Sequence, residues 1–345
     1  MTDARPCRCI VLSIGTPQPD PWWWPQLEGL PLRDSLRWER ISIDGQRQQD
    51  LDRWQQLRLA ARITRVLWRA ARQRVDHIVT FEGDLSCYLI GLLQRLPGFR
   101  GPRHVIVQFI TRERGSSMRD RLHTAIGRAC LGSVHRIVCS SRPEIDYYRA
   151  VFGWPAEKFI FVPLHADDRL LAHAPSEGNS DFIIAAGRSY RDYPTLIQAV
   201  AGTGIRTVIV CGKSGPGVSP LPPEVELRAE IPFDAYVQLV RSARLVVLPL
   251  EDKRISIGQM VLVQGMALGQ AVIVTRTAGT ADYVADGTDG LYVPPRDPVA
   301  LREAIRRVYD DAQTRARLAG NARHTIEQKH RPRQYVAQIA RALQG

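Results

Sequence analysis

Short apolar runs alternate with amphipathic stretches along most of the chain, and the alternation breaks once. In the first half the runs are CIVLSIG, HIVTFEG, HVIVQFI and RIVCSS, separated by helix-like segments over about 51–74, 85–96 and 118–131. Strands of about five residues alternating with helices predict a parallel sheet wound with helices on both faces. From Pro163 to Ser180 the pattern dissolves into a linker-like stretch, PLHADDRLLAHAPSEGNS. The alternation restarts with DFIIAAG, a helix over 193–201, TVIVCG, a helix over 235–243, LVVLPL, a helix over 258–267 and AVIVT. One long helix is expected from Pro298 past Leu318, and a closing helix over 332–343. Two doubly wound halves follow. Ligands of such sheets bind beyond the carboxyl ends of the strands, so the expected site is the cleft between the halves.

A length of 345 residues agrees with two α/β domains. No run approaches the roughly 20 apolar residues of a membrane span, and an arginine interrupts the only signal-like apolar stretch at the start, which predicts a cytoplasmic protein. The six cysteines lack paired CxxC spacing, so neither a disulfide scaffold nor a zinc site is expected, and no metal-ligand cluster is evident. A net charge of +12 calls for anionic partners. Nucleic acid is disfavoured among them, because no nucleic-acid motif is present and the basic residues are not interleaved with stacking aromatics.

Candidate chemistry concentrates in the second half. After DFIIAAG comes Gly187-Arg188-Ser189-Tyr190-Arg191-Asp192, a tight turn carrying two arginines able to clamp a diphosphate. The plain alternative is a solvated loop whose arginines pair with local carboxylates such as Asp192. The stretch from Ser256 through Gly258, Gln259, Met260, Val261 and Gln264 runs from a polar loop into an apolar helix. Ser256 is the expected N-cap, and the amides of the helix start offer an anion site. Gly279 and Thr280 follow the next strand, where they bring backbone close to a sugar or simply form a turn.

Taken together, residues from about Val162 to Arg307 resemble family 4 of the retaining GT-B glycosyltransferases. The matching segments are the strand with Gly187, Arg188 and Arg191, VIVCGKSGPG, ARLVVLPL, GQMVLVQGMALGQAVIVT, GTADYV and DGTDGLYVPPRDPVAL. The resemblance implies an α/β, GT-B fold of two Rossmann-like domains facing across a cleft. Residues 1–168 would bind the acceptor and 169–328 the nucleotide sugar, while a helix within 329–345 packs back toward the N-domain. It implies a retaining transfer from a nucleoside-diphosphate sugar, without cofactor or metal. Arg188 and Arg191 would hold the donor diphosphate, Gly258 to Val261 would meet its phosphates, and Gln264 would face the ribose and Ser256 the sugar. Gly187, Lys213, Gly279 and Thr280 complete the implied donor site. Ser256 and Gln264 stand where the family carries glutamates eight residues apart, and a serine is shorter and uncharged, so sugar recognition differs.

The N-terminal half matches only in topology and in CSSRPEIDYYRAVFGWPAEKFIFVPLHAD. Its glycine-rich loop shrinks to Ser13-Ile14-Gly15-Thr16-Pro17, and no His-Asp pair follows HVIVQFI. Gly15, Asp84 and Gln108 are the acceptor-side candidates, and Glu82 is the candidate base for an acceptor hydroxyl. Capping a helix is the alternative role for Asp84. Two other readings stay open: an inverting GT-B transferase using Glu82, and a catalytically inactive GT-B partner subunit, motivated by the substitutions.

Arg58, Arg62, Arg65, Arg69 and Arg72 recur at spacings of four and three along one predicted helix face. Together with Trp22, Trp23 and Trp24 they describe an enzyme peripheral on the inner face of the cytoplasmic membrane, with a lipid-linked acceptor. A solvated helix face with packed tryptophans is the alternative.

Overall fold

The computed structural model describes residues 7–14, 36–43, 52–81, 85–175, 180–213 and 215–344. The chain divides into two units, one of residues 1–162 with 335–345 and one of 163–334. The divisions fall after 162 and 334, whereas the sequence reading places them after 168 and 328.

Among its described residues the first unit holds six parallel strands: β1 (Cys7–Ile14), β2 (Leu36–Ile43), β3 (His77–Phe81), β4 (Arg103–Val107), β5 (Arg136–Cys139) and β6 (Phe159–Phe161). They lie in the order β2-β1-β3-β4-β5-β6. Helices α1 (Arg53–Arg72), α2 (Leu85–Leu93), α3 (Met118–Leu131) and α4 (Arg142–Phe152) connect them. Buried Ile10, Leu12 and Ile78 on one face of the sheet pack with Leu59, Ile63, Leu67 and Ala70 of α1. On the other face Val79, Val105 and Val138 pack with Tyr335, Val336, Ile339 and Leu343 of the last helix, α11 (Pro332–Gln344). This two-sided burial is why the strands read as apolar runs rather than as alternating patterns.

In the second unit β7 (Phe182–Ala186), β8 (Arg206–Cys211), β9 (Val225–Ala229), β10 (Val246–Leu248), β11 (Val272–Thr275) and β12 (Leu291–Val293) run parallel in the order β12-β11-β10-β7-β8-β9. Counted from β7, this is the 3-2-1-4-5-6 winding of a Rossmann sheet, and its order reverses between β7 and β10. Its helices are α5 (Asp168–Leu171), α6 (Tyr193–Val200), α7 (Phe233–Ser242), α8 (Gln259–Ala267), α9 (Pro298–Asp310) and α10 (Ala312–Lys329).

The single long helix expected after Pro298 is in fact two. It breaks at Asp311, whose carboxylate accepts from the amides of Gln313 (2.9 Å) and Thr314 (3.0 Å) and so caps α10. The expected linker also contains order: Asp167 caps the four-residue helix α5. Five described cysteines are free, and four of them are buried.

Candidate functional site

Because the strand order reverses between β7 and β10, the loops leaving their carboxyl ends lie side by side. Two backbone hydrogen bonds lace them together, Asp192 N to Pro249 O (3.1 Å) and Glu251 N to Tyr190 O (3.1 Å). Asp192 is no partner for the arginines. It caps α6, accepting from the Thr195 amide (3.2 Å) and hydroxyl (2.7 Å). The local-carboxylate reading of this loop therefore fails.

The two arginines differ. Arg191 folds back, its Nε donating to Ala186 O (2.9 Å) and its Nη1 to Ser189 O (2.8 Å). Burial lowers its pKa, the hydroxyls of Tyr193 and Tyr236 acting in the opposite direction. Its guanidinium lies over Gly187, where a Cβ would sit 2.2 Å from Nε. Gly187 has φ +132°, and its carbonyl accepts from the Tyr193 hydroxyl (2.7 Å). Nothing in the spacing of the sequence announces Tyr193, which locks this turn from the first residue of α6. Arg188 is exposed, and its guanidinium has no hydrogen bond or ion pair among the described residues.

Helix α8 starts from Gly258, at φ +82°, and not from Ser256 as expected. Ser256 is buried two residues earlier. A Cβ on Gly258 would come within 2.8 Å of the Leu250 side chain, so the close approach of the loops selects glycine here. Glycine offers no side chain to cap the amides of Gln259, Met260 and Val261. The start of α8 thus keeps its positive end and its donors for an anion. Met260 is exposed, and Val261 and Gln264 half-buried, so one accessible face continues from the helix start to Gln264.

A third loop, after β11, closes on the second. Buried Gln259 donates from Nε2 to Gly279 O (2.8 Å), and a Cβ on Gly279 would sit 2.6 Å from the Ile257 amide nitrogen. Thr280 serves the turn itself: its hydroxyl meets Thr275 O (2.9 Å), and the Thr277 amide donates to it (3.0 Å). Lys213, after β8, is exposed and 3.7 Å from Glu230.

Gly187, Arg188, Arg191, Gly258 and Gly279 therefore gather on loops from one edge of one sheet. Gln108 is elsewhere, just past the carboxyl end of β4 in the first unit, with φ +56°. Gly15, Glu82, Asp84, Trp22, Trp23 and Trp24 lie outside the described residues.

Arg58, Arg62, Arg65, Arg69 and Arg72 are all exposed on α1, where Trp54 (75%) and Trp68 (51%) are exposed too. Among the described residues no helix is long and apolar enough to cross a membrane, and no group of three His, Cys, Asp or Glu side chains is placed to hold a metal.

Each unit is thus a six-stranded parallel α/β sheet among the described residues, and the second presents an uncapped helix start and an unpaired arginine at its switch point. Residues 182–311 match the family described as Glycosyl transferases group 1. The D-inositol 3-phosphate glycosyltransferase of Corynebacterium glutamicum is 30% identical over 145 residues, which are 37% of this chain and 34% of that protein. Matches to curated relatives span from 21% to 48% of those proteins' own length. Among solved structures, the sucrose-phosphate synthase of Thermosynechococcus elongatus superposes with a TM-score of 0.72 at 16% identity, covering 98% of each chain. Anabaena HepE in complex with UDP-glucose gives 0.70 at 16% identity, covering 98% of this chain and 99% of that one. At these identities the superpositions establish the fold. The chain has the GT-B fold, and a segment of its second unit matches the group 1 family model.

Proposed function

We propose that this chain transfers a glycosyl group from a nucleoside-diphosphate sugar to an acceptor hydroxyl, with the donor seated on the carboxyl edge of the second unit's sheet. The observation that carries this reading is Arg188, exposed and without a protein partner, on the loop laced to the one that ends in the uncapped start of α8. A binding scaffold has no use for an unpaired cation beside an anion-ready helix end.

In this reading Arg188 and the amides of Gln259, Met260 and Val261 hold the departing diphosphate, whose negative charge grows as the glycosyl bond breaks. Arg191 shapes the turn and adds positive potential from beneath. Gln264 hydrogen-bonds the ribose from the accessible face of α8. Arginines and a helix dipole supply the charge that a metal would otherwise bring, so the proposal needs no metal ion. Retention of configuration follows the family that the chain resembles. The acceptor side falls to the first unit, with Glu82 near the acceptor hydroxyl. A lipid-linked glycan, a polysaccharide precursor or a secondary metabolite would supply that hydroxyl, and the α1 arginines would hold the enzyme on an anionic membrane.

The test is a thermal-shift titration with UDP, GDP, ADP and dTDP, repeated on Arg188→Ala. UDP heads the series because Anabaena HepE was solved with UDP-glucose. One nucleotide is expected to raise Tm by several degrees in the wild type and to have little effect on the variant. No shift with any of the four would overturn the donor-site assignment in favour of an inactive partner subunit.

A further inference from the structure

A cavity of about 520 Å³ opens within the first unit. It sits at the amino-terminal edge of the sheet, where β4 and β5 begin, away from the carboxyl ends that carry the acceptor-side candidates. Four of its lining side chains are basic or imidazole, Arg103, His135, Arg136 and Lys158, against one carboxylate, Glu157.

The sheet register explains the convergence. Arg136 pairs with Val105, so Arg103, two residues before Val105, points to the same face as Arg136. Arg103 is thus the diagonal neighbour of Arg136, their Cα atoms roughly 8 Å apart across strands about 4.8 Å apart, a separation that long side chains can span toward one ligand. Neither guanidinium has a hydrogen bond or ion pair among the described residues. Lys158, buried against Trp154 with Nζ 4.9 Å from the ring centroid, is pushed down to about 8 by burial. His135 is held below its ordinary pKa by burial first, then by Arg136, Arg103, His77 and Lys158, and its Nε2 is buried without a hydrogen-bond partner.

Capping of helix ends accounts for part of this charge. Lys158 Nζ donates to Gly132 O (2.7 Å) at the end of α3, as Arg128 does to Val151 O (2.9 Å) at the end of α4. Arg103 and Arg136 cap nothing. What remains is an open hollow with two unpaired guanidiniums, a buried ammonium with two N–H bonds to spare, an orphaned imidazole nitrogen and Trp154 at its side.

We propose that this cavity is a second ligand site, independent of the donor site, which takes the phosphoryl group of a small phosphorylated molecule between Arg103, Arg136 and Lys158. Guanidinium forks suit phosphate oxygens, and His135 Nε2 gains a partner when the anion enters. Trp154, stacked on Phe152 with Lys158 Nζ over its ring, holds that ammonium at the wall of the hollow.

The experiment measures binding of inorganic pyrophosphate and glycerol phosphate by calorimetry to the full chain carrying Arg188→Ala, which disables the proposed donor clamp. In parallel, the titration midpoint of His135 is followed by NMR in the unmodified chain. Binding is expected to persist in Arg188→Ala, to weaken at least about tenfold when Arg103→Gln and Arg136→Gln are added, and to raise the His135 midpoint. Vesicles of phosphatidylglycerol in phosphatidylcholine form a further arm. A response confined to vesicles and lost with Arg103→Gln and Arg136→Gln assigns the phosphoryl group to a lipid headgroup, whereas a response in solution assigns it to a soluble ligand. Binding that survives the paired substitution, an unmoved His135 midpoint, or loss of all binding with Arg188→Ala alone would overturn the second site. The last of these leaves the donor-site reading standing, and a failed nucleotide titration would leave this one standing.

Discussion

The guanidinium of Arg191 lies across the α-carbon of Gly187, its Nε donating to the Ala186 carbonyl immediately before it. An added methyl would sit 2.2 Å from Nε, on a backbone at φ +132° that side chains rarely adopt. Gly187→Ala is therefore expected to dislodge Arg191 and to cost about 1–3 kcal/mol of stability. The check is calorimetry: Tm should fall by several degrees, and nucleoside-diphosphate affinity should drop with it. An unchanged affinity would show that the turn does not shape the donor site.

In the proposed donor site, Gln264 would separate recognition of the nucleoside from recognition of its phosphates. It lies more than a helical turn beyond Gly258, half-buried on the accessible face of α8, while the proposed phosphate contacts are at the helix start. Gln264→Ala should weaken the preferred nucleoside diphosphate about five- to tenfold, in line with one or two lost hydrogen bonds, and leave pyrophosphate binding at the same site unchanged. Equal losses for both ligands would remove Gln264 from the ribose.

Buried His104 predicts a pH dependence of stability. Its Nε2 is 2.9 Å from the Thr80 hydroxyl, and burial, aided by Lys158, lowers its pKa from 6.5 to about 3. The native chain keeps this imidazole neutral, while the unfolded chain takes up a proton below 6.5. Unfolding thus binds a proton between 6.5 and about 3, and stability falls as pH falls through that window. Urea melts at pH 7 and near pH 4.5 should differ by about 2–3 kcal/mol less in His104→Asn than in the wild type. Identical differences would show that His104 is charged in the native state.

The arginine face of α1 should bind anionic vesicles. Replacing Arg58, Arg62 and Arg65 by glutamine would remove about 1 kcal/mol per residue near such a surface. Cosedimentation with phosphatidylglycerol vesicles is expected to fall markedly in the triple variant, and less so at high salt, where both proteins bind poorly. Wild-type chain that stays in the supernatant at low salt would make α1 an ordinary solvated helix.

How far the sequence reveals this molecule depends on which side of a strand is covered. The runs FIIAA and VIVT are buried along their length and stand out as apolar blocks. The four outermost strands escape such a reading. Two of them, β6 and β12, have three residues each. The other two, LRWERISI and VELRA, intersperse charge in the manner of a loop or an exposed edge, and β9 alternates buried with accessible positions. The break between α9 and α10 was visible as Asp311 followed by Gln313 and Thr314, but the apolar periodicity continues through it.

Within the site, the arginines and glycines are legible as residue types, and their division of labour is not. Which arginine folds back and which stays open depends on Tyr193 gripping the Gly187 carbonyl and on the lacing of two loops distant in sequence. The same holds for the start of α8. Ser256 is the better capping residue by propensity, but Gly258 alone tolerates the approach of Leu250.

The helix that covers one face of the first sheet is the last in the sequence, with Tyr335, Val336, Ile339 and Leu343 filling a core begun by Cys9 and Val11. On the ribosome, all of residues 163–334 must therefore be made before the first unit can close that core. Its valine-lined face stays open during that interval, a period in which chaperones have a target and in which a stalled or prematurely terminated chain carries an adhesive sheet.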